Sequence, residues 1–173
     1  MASASAVARL LDNVPWNKSN VRSINIDLLQ LLIAAALVET RGEAYGEYLM
    51  RVFSDDQEFV EVIRGWSKEE AEHGVALGTW LTRTLPNFDF DAHVKQYLEG
   101  ARLSYINSTS ANSIRGSRSA ELLSRCAVES ATSTYYKSIS DLVDDEPLKI
   151  ICQRLARDEI NHFGLHPVPK TPS

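Results

Sequence analysis

Apolar residues recur along the chain at three- and four-residue intervals over long stretches with few breakers, the period of helices that bury one face. Four long helices are expected. The first spans about Ser23 to Phe53 and contains the run LLQLLIAAALV, Leu28 to Val38; Ser54-Asp55-Asp56 ends it and caps the next. The second runs from about Asp56 to Leu85 and stops at Pro86. The third covers about Ser119 to Val143. The fourth starts near Glu146-Pro147, where proline suits a first turn, and ends near Gly164. Between the second and third lie a shorter helix, about Asp91 to Ile106, and the polar loop NSTSANSIRGSR.

Two short-looped hairpins joined by one long crossover is the connectivity of an all-α, ferritin-like four-helix bundle rather than of a simple up-and-down bundle. The bundle is expected over residues 23–166, with an N-terminal arm over 1–22 and a C-terminal tail over 167–173. The 173 residues suffice for one domain with a full core, and 44% apolar against 24% charged residues is ordinary for a globular chain.

A formal net charge of −5 argues against a nucleic-acid binder, which would carry a basic face. The N-terminus makes a poor signal peptide, and the Leu28–Val38 run is too short to span a bilayer, so a soluble cytoplasmic protein without a membrane span is expected. Cys126 and Cys152 cannot build a four-thiolate site, and both read as small inward-facing hydrophobes.

The second helix carries WSKEEAEHG, in which Glu70 precedes His73 by three residues; the fourth carries RDEINHFG, in which Glu159 precedes His162 by three. Residues so spaced share a helix face, about 4.5 Å apart along the axis, and can converge on one cation. One Glu-x-x-His is weak; two on separate long helices are much stronger. Folding each hairpin about its turn adds a carboxylate to each pair. Glu39 falls level with Glu70 across 31 residues, and Glu129 level with Glu159 across 30. Glu43, one turn beyond Glu39, stays an alternative ligand, a supporting group or the edge of the solvated face, with Glu39 preferred on level.

Four carboxylates and two imidazoles at one depth would be costly to bury without cations. Two divalent ions would balance the charge and leave both histidines as neutral ligands, which suits two iron ions (Fe2+/Fe3+), with manganese possible, and leaves positions open for oxygen or water. Ala35, Ala36, Gly42 and Gly46 near Glu39 are small, allowing close approach or a cavity, and Trp66 packs inward on the face of Glu70. Glu72 is expected in solvent, as are His93 and His166. Among Tyr45, Tyr48, Tyr135 and Tyr136, core packing is the simpler role and a redox phenol the alternative.

The six-residue pattern resembles ferritin-like di-iron carboxylate proteins. More narrowly, WSKEEAEHG is similar to the tryptophan-to-glycine motif of soluble acyl-(acyl carrier protein) desaturases, and ESAT (Glu129–Thr132) with DEINH (Asp158–His162) to the second half of their site. The resemblance covers the core helices, some two-thirds of the chain. It implies that Glu69 and Asp158 accept from a histidine N–H of the opposite motif, fixing its tautomer. It also implies that Thr132 places a hydroxyl at the oxygen-binding face, with a back-bonded helical threonine as the alternative.

The implied activity is oxygen-activating oxidation of a small-molecule or acyl substrate, with electrons from an external donor such as a ferredoxin, and a homodimer through the first two helices. Such desaturases are substantially longer, and their extra helices build the acyl channel, so the substrate does not carry over. Iron storage or ferroxidase activity and a non-catalytic bundle with a vestigial site are the alternatives; an aldehyde-processing oxygenase would use the same ligand set.

Overall fold

The computed structural model describes residues 5–100 and 110–164, and among these every regular element is helical. The elements are α1 (Ala6–Leu11), α2 (Ile26–Glu39), α3 (Gly42–Val52), α4 (Gln57–Thr84), α5 (Phe90–Gly100), α6 (Arg118–Leu142) and α7 (Glu146–Gly164), with short 3-10 turns at Trp16–Lys18 and Val21–Ser23. Side chains cap the starts of the long helices: Asn25 accepts from Leu28 N–H, Asp56 from Phe59 N–H, Ser117 from Ala120 N–H and Asp145 from Leu148 N–H. No described helix is long and apolar enough to cross a membrane.

The first long helix is not continuous. It breaks at Thr40-Arg41, immediately after Glu39, because the Thr40 hydroxyl donates back to Leu37 O (2.6 Å) and Arg41 N–H reaches only to Val38 O (3.0 Å). A β-branched residue that bonds the preceding turn, followed closely by glycine, weakens the helix there. The shorter helix is described over Phe90–Gly100; the rest of its expected span, 101–106, lies outside the described residues, as do His166 and the tail 167–173.

α4 packs against α2, α3 and α7, and α6 lies along α7. Glycines permit the α3–α4 approach: a Cβ on Gly42 would lie 2.3 Å from Glu70 Cβ and 2.9 Å from Ser67 O. The N-terminal arm docks on the bundle, with Leu10 fully buried and Ala6 nearly so. Glu72, expected in solvent, instead accepts from Val7 N–H (2.9 Å) at the start of α1, while Arg154 donates to the carbonyls of Leu10 (2.9 Å) and Asp12 (2.7 Å) at its end. Buried Asp145 joins the arm to the last turn by accepting from Ser19 Oγ, Asn20 N–H, Trp80 Nε1 and Leu148 N–H.

The apolar core comes in two blocks. One centres on Leu32, Leu77, Trp80, Ile139, Ile151 and Leu155, the other on Tyr48, Leu49, Phe59, Ile63 and Trp66. On α4 the blocks meet at Glu70 and His73. A polar belt therefore cuts the core at one level, which no apolar packing requires.

Candidate metal centre

The belt contains Glu39 from the end of α2, Glu70 and His73 from α4, Glu129 from α6, and Glu159 and His162 from α7, all buried. Their ligand atoms form two overlapping groups, Glu39-Glu70-His73-Glu159 and Glu70-Glu129-Glu159-His162, and within each group these atoms lie within 4.8 Å of one another. Each group has its own terminal glutamate and histidine. Glu70 and Glu159 belong to both, the position of a carboxylate that bridges two ions.

The contacts within the belt are short but are not all hydrogen bonds. His162 Nδ1 lies 2.9 Å from Glu70 Oε1, yet both atoms are buried without a hydrogen-bond partner. Two donors at about 2.1 Å from one ion and at right angles stand about 3 Å apart, so this spacing is that of neighbouring ligands. Glu129 Oε2 is likewise buried without a partner. His73 Nδ1 lies 3.0 Å from Glu159 Oε1 and 3.7 Å from Glu70 Oε1. The rings of His73 and His162 stack with centroids 5.5 Å apart, both presenting Nδ1 to the belt. These orphaned buried atoms and the carboxylate–imidazole donor set fit a pair of divalent cations.

The outward nitrogens face carboxylates. His162 Nε2 is 3.1 Å from Glu69 Oε2, and His73 Nε2 is 3.6 Å from Asp158 Oδ2, beyond hydrogen-bond reach but close enough for attraction. Each histidine thus meets an acid from the opposite Glu-x-x-His helix. Arg9 of α1 spans both acids, with Nη2 3.6 Å from Glu69 and 3.4 Å from Asp158.

Without a cation the belt is strained electrostatically. Burial and the Glu159 charge push the Glu39 carboxyl up to about 7, and burial raises Glu159 to about 7. Burial works against a charged His73, but Asp158, Glu159 and Glu70 outweigh it and raise its pKa to about 10. Glu129, Glu69 and Glu70 overcome burial in the same way and raise His162 to about 12. Glu129 moves the other way. Burial would raise it, but His162 and Arg125 pull it down to about 2.

Arg125 is the participant that sequence reasoning missed. It pairs with Glu129 one turn along α6, and its guanidinium lies 4.7 Å from the Trp66 ring centroid and 5.1 Å from that of Tyr45. The i,i+4 spacing to Glu129 was the available signal. Tyr136 donates its hydroxyl to Glu39, joining core packing to the belt. Glu121, two turns before Glu129, is fully buried and accepts from Tyr48 (2.8 Å) with Arg115 at 3.4 Å.

Thr132 Oγ1 lies within 2.9 Å of Glu159 Oε2 and also faces the carbonyls of Val128 and Glu129, so its one proton serves either the belt or the helix. Trp66 is buried and meets the His162 ring edge-on, with centroids 6.5 Å apart. Glu43 is exposed in the first turn of α3 and joins neither ligand group; the break after Glu39 sets the two glutamates on separate helices. Cys152 is buried, Cys126 only half-buried, and His93 is exposed and stacked on Phe88.

A cleft of about 240 Å³ opens beside the belt, with Glu39, Glu70 and Thr132 in its lining. A larger groove of about 620 Å³ between α4 and α5 contains none of the belt residues.

The fold and the belt define an all-helical protein with a buried glutamate–histidine cluster able to hold metal. No protein-family model matches the chain, and no curated protein or solved structure matches it either.

Proposed function

We propose that the protein is a dinuclear-metal, oxygen-activating oxidoreductase built on a ferritin-like bundle, with iron as the resident metal. The observation that carries this reading is the pair of overlapping ligand groups sharing Glu70 and Glu159. One ion would be held by Glu39 and His73, the other by Glu129 and His162, with Glu70 and Glu159 serving both. When bound, two iron ions would supply the reduction of dioxygen by four electrons, two from the substrate and two from an external donor such as a ferredoxin.

The chain's own residues would do the rest. Glu69 holds the His162 N–H outward and the Asp158 charge attracts that of His73, so that Nδ1 of each ring would face the metals in its neutral form. Arg125 orients Glu129 through their ion pair, and Tyr136 orients Glu39. Thr132 can hold or pass a proton at Glu159 Oε2. The two apolar core blocks on either side exclude water from the belt.

A substrate oxidase needs space beside its metals, and the cleft over Glu39 and Glu70 favours that role over iron storage. The test is the metal content and absorption spectrum of iron-loaded protein, reduced and then exposed to oxygen. Two irons per chain and a transient visible band after oxygen addition support the proposal. Protein that takes up iron but shows no oxygen-dependent spectral change overturns it.

A further inference from the structure

The cleft itself indicates what kind of molecule reaches the belt, an inference that rests on the dinuclear reading above. Its walls bring Tyr45 from α3, Trp66 from α4 and Tyr97 from α5 together with three arginines, Arg41 at the α2–α3 break, Arg115 before α6 and Arg125 on α6. Three guanidinium groups line it with Glu39 and Glu70; Glu121 compensates Arg115, whereas the metals would neutralise Glu39, Glu70 and Glu129, the carboxylate paired with Arg125. With the metals bound, a molecule in the cleft therefore meets guanidinium groups beside neutralised carboxylates.

The arginines are held in place. Arg115 reaches Glu121 at 3.4 Å, Arg125 pairs with Glu129, and Arg41 lies 5.6 Å from the Tyr97 ring centroid. Arg125 Nε is buried with no hydrogen-bond partner. Pre-ordered guanidinium groups match a carboxylate better than any other common anchor, because the planar fork presents parallel donors. Tyr45 and Tyr97, both half-buried, offer apolar contact to whatever carries that carboxylate, while Trp66 is buried beneath Arg125.

Size narrows the class further. At roughly 20–30 Å³ per heavy atom, about 240 Å³ encloses on the order of ten atoms, so most of a long acyl chain would have to run out of the open cleft into solvent. We propose that the cleft binds a compact carboxylate-bearing substrate, planar or aromatic in its body, with the carboxylate toward the arginines and the carbon body beside Glu39, Glu70 and Thr132.

The experiment measures binding of benzoate, benzyl alcohol and laurate to iron(II)-loaded protein without oxygen, by ligand-observed NMR, with metal content read on the same samples. Benzoate should saturate one site per chain, with benzyl alcohol and laurate each about tenfold weaker or more. Arg41→Gln should weaken benzoate about tenfold and leave benzyl alcohol little changed. Val38 lines the rim and is 59% exposed, so Val38→Glu and Val38→Lys can be made without disturbing the core. The first should weaken benzoate several-fold and the second should not.

Benzyl alcohol binding as tightly as benzoate, laurate binding more tightly, or benzoate indifferent to both Arg41→Gln and Val38→Glu would overturn the proposed substrate class. Were that seen with two ions per chain bound, the dinuclear reading would still stand. Carboxylate selectivity in protein that takes up no metal would support the cleft and overturn the dinuclear reading alone.

Discussion

Gly42→Ala tests whether the close approach of α3 to α4 positions a bridging ligand. The new methyl carbon would sit 2.3 Å from Glu70 Cβ, 2.9 Å from Ser67 O and 3.0 Å from Ala71 N, where carbon contacts normally settle near 3.5–4.0 Å. Two of the three obstacles are backbone, so no side-chain rotation relieves them, and α3 must move by about 1 Å. Overpacking of this kind costs about 1–3 kcal/mol. For a chain of this size that lowers Tm by about 2–12 °C. Because Glu70 shares the clash and belongs to both ligand groups, binding of both ions should weaken together.

Gly65→Ala on the same α4 is the control. Nothing lies within 4 Å of its added Cβ, so it should gain helix propensity, about 0.5–1 kcal/mol, and raise Tm slightly. Calorimetry of both variants, with and without metal, reads the contrast. A Gly42→Ala protein with unchanged Tm and unchanged metal content would refute the reasoning.

Three further outcomes are expected. Glu39→Gln removes a terminal ligand and should leave about one tightly held ion per chain, whereas Glu159→Gln touches both groups and should lose both, as read by metal analysis after desalting. Glu69→Gln deprives His162 of its outward carboxylate and should weaken metal binding about 10-fold, toward the low end for such partners because Glu69 is half-exposed; competition with a chelator measures it. Metal uptake should release protons. His73 and His162, raised to about 10 and about 12, are charged in the metal-free protein at neutral pH and must each give up a proton, while Glu39 and Glu159, near 7, are about half protonated there. Release should therefore be at least about three protons at pH 7, because burial raises the Glu70 carboxyl as well, and should fall as the pH rises, measured by titration calorimetry in buffers of differing ionisation enthalpy; release that rises with pH would contradict this.

Much of this arrangement could be read from the chain. The helix periods and the turns at Ser54–Asp56 and Asp144–Asp145 set two hairpins, and counting back from each turn puts Glu39 beside Glu70 and Glu129 beside Glu159. That arithmetic works because helix rise is constant. It tolerates the break at Thr40-Arg41 because only those two residues between Glu39 and α3 leave the helix, and the rest of the counted stretch up to the turn is helical. The break itself was hidden, since Thr40 and Gly42 are individually tolerable in a helix and only their combination with tight packing on Gly74 and Glu70 decides it. Glu72 was misplaced for a different reason. Its partner, Val7 N–H, comes from an arm 65 residues away, and no local pattern announces a helix start docking there. Arg125 was missed because its spacing to Glu129 gains meaning only in the buried environment supplied by Trp66 and Tyr45.

The most direct test of the central claim is an oxygen-free iron(II) titration of the metal-free protein, alongside Glu70→Ala. Iron should saturate at two ions per chain in the parent, and both sites should be lost in the variant. Binding of no iron by the parent, uptake far beyond two per chain, or a Glu70→Ala protein that still takes up two would contradict it.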